Sequence, residues 1–535
     1  MSGVRLRTWI LRARPALLVL SFALLTTVSH PKWSLHLLAW IALVPLLVLI
    51  HPIQTWRRAA CLGWISGFLA FLGIVGWIYI LGPFTGVGLP IGWAVAGFGA
   101  AILAAYLALY VALYAILVVV LLPRQGWLYV LGAPALWVFC EWLRGWMLTG
   151  FPWGGLGYTQ WNNLTTAQLA SLGGVPLISL VIAFFNAAIM NAFSRRHNTS
   201  RAVREALPAL GLVTATVLYG IVALSSQPSP TGSVRVAIVP GNLPQRVRWH
   251  RSALTDNLDH YLSVMALAAR QTPDLIVLPE TSILMPYLTV EDRDRFLDFI
   301  QETRIPVLFG SPQVSRKGSL QGGRNAVILL DGDGRSMGEY YKQHLVPFGE
   351  YIPFRRFMPK LITDWAVGVA DYDPGEESVV LELPIDSLDV RLGVPICFES
   401  VFAGITREFV RKGANVLAIL TNDGWYEGTS AIPQHTAFAV FRAIEARRAV
   451  IRAANRGISC FIEPSGRIAS DSIPPDDWDG MIVGSIPLVE GSTPFAVVGD
   501  WVSIVAVVAT AGIAGWHLRG RRRIAIDART RSQAH

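Results

Sequence analysis

The chain has 535 residues, 53% of them hydrophobic and 15% charged, with a formal net charge of +9. A soluble globular protein carries about 25% charge, so the composition argues against that class and for a membrane protein. The basic excess alone would suit nucleic acid, but where the charges fall argues otherwise. In chain order, long apolar runs lie at 15–30, 33–50, 61–81, 88–116, 128–144, 165–193 and 206–226, with one more at 498–518. Each is near the roughly 20 residues a helix needs to cross the hydrocarbon layer. The first is short and follows basic residues, as a signal peptide would, but no small-residue cleavage site follows cleanly and another apolar run comes at once. A retained helix is expected, giving eight spans. Residues 1–226 would form a membrane domain of seven helices, 498–518 an eighth, and 519–535 a basic tail.

Arginines mark one side of these spans. Arg5, Arg7, Arg12 and Arg14 precede the first, Arg57 and Arg58 lie between the second and third, and Arg124 follows the fourth. Arg195, Arg196, Arg201 and Arg204 separate the sixth from the seventh, and Arg519, Arg521, Arg522 and Arg523 follow the last. With eight helices all these clusters share a side, which the positive-inside rule puts in the cytoplasm together with both termini. The positive charge is then a topology signal rather than a nucleic-acid footprint.

Residues 227–497 would lie outside the cytoplasm. They begin after the turn-rich "SSQPSPTGS". "SVRVAIVP", "DLIVLPE", "IPVLFG", "NAVILLD", "LGVPICF" and "NVLAILTND" read as strands, while 252–271, 291–303, 400–412 and 432–448 read as helices. Apolar strands alternating with helices imply a layered α/β domain. No GxGxxG or GxxxxGK[ST] pattern supports nucleotide binding.

Three ionisable residues stand at or just past strand ends: Glu280, Lys342 and Cys397. Strand ends of an α/β domain converge on one edge, where sites form. A thiolate is a strong nucleophile. A carboxylate beside it can take the thiol proton and return it to a leaving group, and a lysine can stabilise a developing oxyanion. Glu350 and Glu399 are further carboxylates near in sequence. The plain alternatives remain open at this point. Cys397 could be a packing residue or pair with Cys460, Glu280 a strand cap, and Lys342 a solvated surface residue. Cys61 and Cys140 fall inside apolar runs and read as packing residues. His344 and His435 are isolated, with no metal-ligand spacing, so no metal is expected.

"LPE" at 278–280, "YYKQHLVPFGE" at 340–350 and "GVPICFE" at 393–399 resemble the Glu, Lys and Cys motifs of the nitrilase superfamily. With the membrane layout, "FPWGGLGYTQW" at 151–161, "PGNLPQRVRW" at 240–249 and "TNDGWYEGTSAIPQH" at 421–435, nearly the whole chain resembles the apolipoprotein N-acyltransferase family. The resemblance implies an αββα sandwich for 227–497. It implies Glu280 as general base, Lys342 as stabiliser of the transition state and Cys397 as the nucleophile that becomes a thioester. Glu350 matches the further carboxylate of the lysine motif. Trp249, Phe398 and Glu399 match positions important in the family, although Phe398 stands where a Tyr is frequent, which removes a hydroxyl. Asn422 and Asp423 would shape the site from the next strand end.

The implied reaction passes an acyl chain from a phospholipid, commonly phosphatidylethanolamine, to the N-terminal amine of a diacylglyceryl-cysteine apolipoprotein. It needs no cofactor, and the resemblance favours a monomer in the bacterial inner membrane with the catalytic domain in the periplasm. The stretch 345–365, with five aromatics, Arg355, Arg356 and Lys360, reads as a membrane-facing arm or else a packed loop. Rival readings are a tethered amidase that uses water as second nucleophile, a transporter and a scaffold. The first does not require so many helices, the second leaves the outer domain idle, and the third has no need of the three site residues.

Overall fold

The computed structural model describes residues 3–85, 88–195, 198–245, 253–314, 322–357, 371–385, 388–469 and 480–532. Of the stretch 345–365, the residues from 358 onward lie outside the described ones, as does Trp249. The chain forms two compact units, one of Met1–Gly76, Gly97–Val222 and Asp500–His535, the other of Trp77–Ala96 and Ala223–Gly499.

The first unit is helical. Among the described residues, five helices are long and apolar enough to cross a membrane: Trp56–Phe84, Ile91–Leu121, Ala170–Ser194, Thr199–Ser225 and Trp501–Gly520. The expected count of eight is not reached by that measure. The first expected span is a shorter apolar stretch, Ala13–Ser29. The second is broken into His36–Leu38, Ala39–Ala42 and Val44–Ile50. The break falls just before Pro45, which has no N–H to continue the ladder, and a side chain far away in sequence meets the groups it frees. Asn186 Oδ1 accepts from the backbone N–H of Leu43 (2.9 Å) and Val44 (3.2 Å), and its Nδ2 donates to Ala39 O (3.1 Å). One side chain thus satisfies the groups that a broken helix would leave unmet in an apolar setting. The fifth expected span is the 18-residue helix Trp127–Arg144, which carries Glu141 and Arg144 in its last turn.

The second unit holds two sheets. One has six strands: β1 (Gly232–Ile238), β2 (Leu275–Val277), β3 (Val307–Gln313), β4 (Arg324–Leu330), β5 (Ser336–Tyr341) and β11 (Ile482–Leu488), in the order β11-β1-β2-β3-β4-β5. The other runs β10-β9-β8-β7-β6, built from β6 (Leu381–Ile385), β7 (Leu388–Gly393), β8 (Val416–Asn422), β9 (Val450–Asn455) and β10 (Cys460–Ile462). The central strands β1, β2 and β3 are mutually parallel, as are β7, β8 and β9. Period-two alternation gives each central strand two buried faces. Ala237, Val239, Ile276, Leu278, Val307 and Phe309 pack against Leu258, Tyr261, Met265, Phe296 and Ile300 of the helices Leu254–Ala269 and Val290–Thr303. Val236, Ile238, Leu275, Val277 and Leu308, on the opposite face, are equally buried. Helices Ala403–Arg411 and Ala431–Ala446 lie on the second sheet. The unit is an α/β sandwich with paired helices on its outer faces.

Trp77–Ala96 joins this unit through aromatic contacts. Trp77 Nε1 donates to Gln434 Oε1 (3.2 Å), its ring lies 5.3 Å from that of Tyr426, and Phe84 meets Trp425 edge-on at 5.1 Å.

Candidate active site

The parallel strands of each sheet end at a cluster of polar side chains. Glu280 lies three residues past β2 and is 6% exposed. Its backbone runs so close to β3 that Gly310 has no room for a side chain: a Cβ there would lie 2.6 Å from Glu280 Cα and closer still to Thr281 N. Lys342 is the first residue beyond β5 and is 1% exposed. Its N–H donates to Asn325 O (2.9 Å), extending the β4–β5 ladder and fixing where the side chain starts. The Nζ donates to Glu280 Oε1 (3.2 Å) and to Glu350 Oε1 (2.9 Å). Glu350 is steadied by the Val346 N–H, which donates to its Oε2 (2.8 Å). Asn325 Nδ2 donates to the same two carboxylates, at 2.8 Å to Glu280 and 3.0 Å to Glu350. Burial opposes the Lys342 charge, but Glu280, Glu350 and Cys397 outweigh it and hold the ammonium well above its usual range.

Cys397 opens the 3-10 turn Cys397–Val401 past β7, with φ +51° and 7% exposure. A parallel bridge from Ile396 to Leu420 sets the turn beside the end of β8. Burial, with Glu280 next, pushes the thiol up to about 12, while Lys342 pulls the other way. No disulfide joins Cys397 and Cys460.

Glu399 is fully buried and works on the turn rather than facing Lys342. Its Oε2 accepts from the Ile396 N–H (2.7 Å), and its Oε1 accepts from the Gln343 N–H (2.6 Å), the His344 N–H (3.1 Å) and the Tyr340 hydroxyl (2.8 Å). It thereby ties the segment after Lys342 to the turn that carries Cys397. Phe398 packs edge-on against Phe402 at 5.3 Å and beside His344 at 5.7 Å. Asn422 Nδ2 donates to Gln245 Oε1 (2.8 Å), and its Oδ1 accepts from Asn455 Nδ2 (3.0 Å). Asp423 is buried, bonded to Arg452 Nη2 through Oδ2 (2.7 Å) and to the Thr421 hydroxyl through Oδ1 (3.0 Å). Burial alone would raise its carboxyl, but Arg452, with His435, holds it well below the usual range.

Glu280, Lys342, Glu350 and Cys397 therefore come together, with Glu399, Asn422 and Asp423 in the surrounding shell. Asn325, Gln245, Tyr340 and Arg452 were not singled out from the sequence, and His435 was noted there only as isolated and without metal-ligand spacing. A polar residue opening an apolar strand, as Asn325 does in "NAVILLD", was the available signal. Among the described residues no group of three or more His, Cys, Asp or Glu could hold a metal ion.

Two packed sheets with a Glu, a Lys and a Cys converging from strand ends define a domain of the carbon–nitrogen hydrolase class, and residues 235–492 match the family model described as carbon-nitrogen hydrolase. Residues 22–188 match that of the apolipoprotein N-acyltransferase N-terminal domain. An apolipoprotein N-acyltransferase of Geobacter metallireducens is 33% identical over 94% of this chain and 95% of its own. Similar relatives of that name come from Gloeobacter violaceus, 32% identical over 92% of each chain, and Shewanella oneidensis, 32% identical over 90% of this chain and 92% of its own. The chain belongs to the apolipoprotein N-acyltransferase family and is an acyltransferase.

Proposed function

We propose that this enzyme moves a fatty-acyl chain from a phospholipid to the N-terminal amine of a diacylglyceryl-cysteine apolipoprotein, through a thioester on Cys397. The observation that carries the reading is Lys342 Nζ held between Glu280 and Glu350, with Cys397 close enough for all three charges to bear on each other. Glu280 takes the thiol proton as Sγ attacks the ester carbonyl, and the Lys342 ammonium stabilises the oxyanion that forms. The tetrahedral intermediate collapses, the C–O bond breaks and the proton on Glu280 goes to the departing lysophospholipid. The lipoprotein amine then attacks the thioester and loses a proton to Glu280. The C–S bond breaks, and the sulfur regains a proton as thiol. Glu350 and Asn325 hold Lys342 and Glu280 in place, and Glu399 holds the turn. Asn422 and Asp423 support that turn from β8, with Phe398 filling behind it. Trp249, which matches a position important in the family, is kept as a supporting residue.

The same reading keeps eight membrane crossings, counting the three shorter apolar stretches. It puts the arginine-rich side and both termini in the cytoplasm and residues 227–497 in the periplasm, in the inner membrane, as a monomer with phosphatidylethanolamine as donor. A thioester is activated toward amines, so no nucleotide or other cofactor enters.

Intact mass of the purified chain with phospholipid and no acceptor tests this. The parent should gain one fatty-acyl mass that hydroxylamine removes and that Cys397→Ala does not acquire. A diacylglyceryl-cysteine peptide should discharge it and become acylated. Folded parent protein that yields neither adduct nor acylated peptide would sink the proposal.

A further inference from the structure

The turn that carries Cys397 is clamped on two sides, and only one clamp has so far been given a task. On the N-terminal side Glu399 takes the Ile396 N–H. On the carbonyl side, Cys397 O accepts from the Ser400 hydroxyl (2.8 Å) and lies 3.1 Å from His435 Nε2. His435 is 1% exposed, and its Nδ1 lies 2.9 Å from Asp423 Oδ1. A left-handed φ costs a non-glycine residue about 1 kcal/mol or more, so the +51° at Cys397 needs such ties.

The positions of hydrogens follow from the partners. Nε2 lies 3.1 Å from both Cys397 O and Ser400 Oγ; the one Ser400 hydroxyl hydrogen goes to Cys397 O (2.8 Å), so both oxygens accept and Nε2 carries a hydrogen. Nδ1 faces an oxygen of Asp423, which Arg452 holds ionised, so Nδ1 carries one too. Arg452 Nη2 also lies 3.2 Å from Nδ1, but Asp423 Oδ1 is nearer to that nitrogen at 2.9 Å, and Arg452 makes its shorter bond, 2.7 Å, to the same carboxylate. A ring protonated on both nitrogens is an imidazolium. The charged and titratable groups around it are Cys397 on the turn, Asp423 and Tyr426 after β8, and Arg452 on β9. On its own helix, Arg442 donates to Ser400 O (3.4 Å) and is paired with Glu445 (2.8 Å).

We infer that His435, held as an imidazolium by Asp423, is a positioning residue for Cys397. It ties down the nucleophile's own carbonyl and sets a fixed positive charge behind the thiol, which makes the thiolate cheaper to form. The inference rests on Cys397 being the nucleophile, and Asp423 acts through His435.

The test uses the full chain with His435→Gln, whose amide nitrogen can replace Nε2 as a donor without the charge, and His435→Phe, which supplies neither. Iodoacetamide alkylation at pH 8 is followed by mass spectrometry of the Cys397 peptide, beside thermal unfolding. His435→Gln should melt close to the parent while Cys397 is alkylated about 3- to 10-fold more slowly, the range expected when one nearby charge is lost. His435→Phe should be slower again. Parental alkylation in His435→Gln would overturn the inference, as would rates that fall only in step with the folded fraction. If neither variant folds, the nitrogen-15 shifts of labelled histidine in the parent decide: both His435 nitrogens protonated at pH 7 supports the inference, and a neutral ring overturns it. Alkylation needs no phospholipid, so a parent that forms no acyl-enzyme would count against the proposed function and leave this contrast intact.

Discussion

Replacing Glu399 by Gln probes the other clamp on the nucleophile turn. The carboxylate meets four donors: the Tyr340 hydroxyl, the N–H groups of Gln343 and His344 at Oε1, and that of Ile396 at Oε2. A protonated carboxyl can keep all four contacts if the Tyr340 hydroxyl turns to accept. An amide cannot, because with its oxygen toward Oε1's three donors its NH2 points at the Ile396 N–H. One bond is lost and one buried donor is left unmet, about 3 kcal/mol together, shared roughly equally. A pH signature accompanies this. Burial pushes the Glu399 carboxyl from 4.5 up to about 7. A carboxyl raised in the folded state favours folding when protonated. That contribution is full below the unfolded value near 4.5 and is lost as pH rises through about 7, about 3 kcal/mol in all. Thermal unfolding between pH 5 and 8 reads both effects. The parent should lose stability across that window, while Glu399→Gln should start lower and lack that part of the slope. A variant with the parental melting temperature at pH 7 and the parental slope would refute the account of this residue.

Three other substitutions follow from the same geometry. Gly310→Ala should displace Glu280, cost about 1–3 kcal/mol of stability and slow acyl-enzyme formation about 100-fold, read by rapid-quench mass spectrometry. Asn325→Leu removes the donor shared by Glu280 and Glu350 at a position only 2% exposed. It should cost about 1–3 kcal/mol in calorimetry and lower the acylation rate more than the affinity for phospholipid. Lys342→Met leaves two buried carboxylates without their cation, and calorimetry should show a loss of about 3–5 kcal/mol with no detectable adduct.

Which parts of this molecule could be read from its sequence depends on whether a signal was local. Five of the six strands read from apolar runs are there, because a strand buried on both faces is a continuous apolar run; the sixth, "LGVPICF", catches only the end of β7 and runs on into the turn of Cys397. β5 and β6 were not read: "SMGEYY" is mostly exposed, with Tyr340 buried, and "LELPI" alternates buried and exposed residues over a short length. β9, "VIRAAN", follows directly on a helix and carries Arg452, whose burial makes sense only once Asp423, 29 residues earlier, is seen to pair with it. The second apolar run is broken just before Pro45, a local signal, but the side chain that satisfies the break, Asn186, is more than 140 positions away. Glu280, Lys342 and Cys397 could be picked out because each follows a strand ending. Asn325 and His435 act through partners that no spacing rule links to them.

The arrangement around Lys342 also bears on how the proposed cycle handles charge. A thiol raised to about 12 leaves roughly one thiolate in 10⁵ at pH 7, so the resting sulfur stays protonated and spares itself from stray electrophiles. Its proton has to leave as the bond to the acyl carbon forms, and Glu280 has to accept it. If Glu280 were the only partner of Lys342, accepting that proton would strand a buried ammonium at the moment the oxyanion needs it in place. Glu350, 2.9 Å from Nζ, prevents this: it remains an ion-pair partner whichever protonation state Glu280 adopts. Asn325, donating to both carboxylates, keeps the spacing between them as the charge on one comes and goes. In the proposed cycle a second carboxylate beside the lysine is thus what allows the first to serve as a base in a buried site.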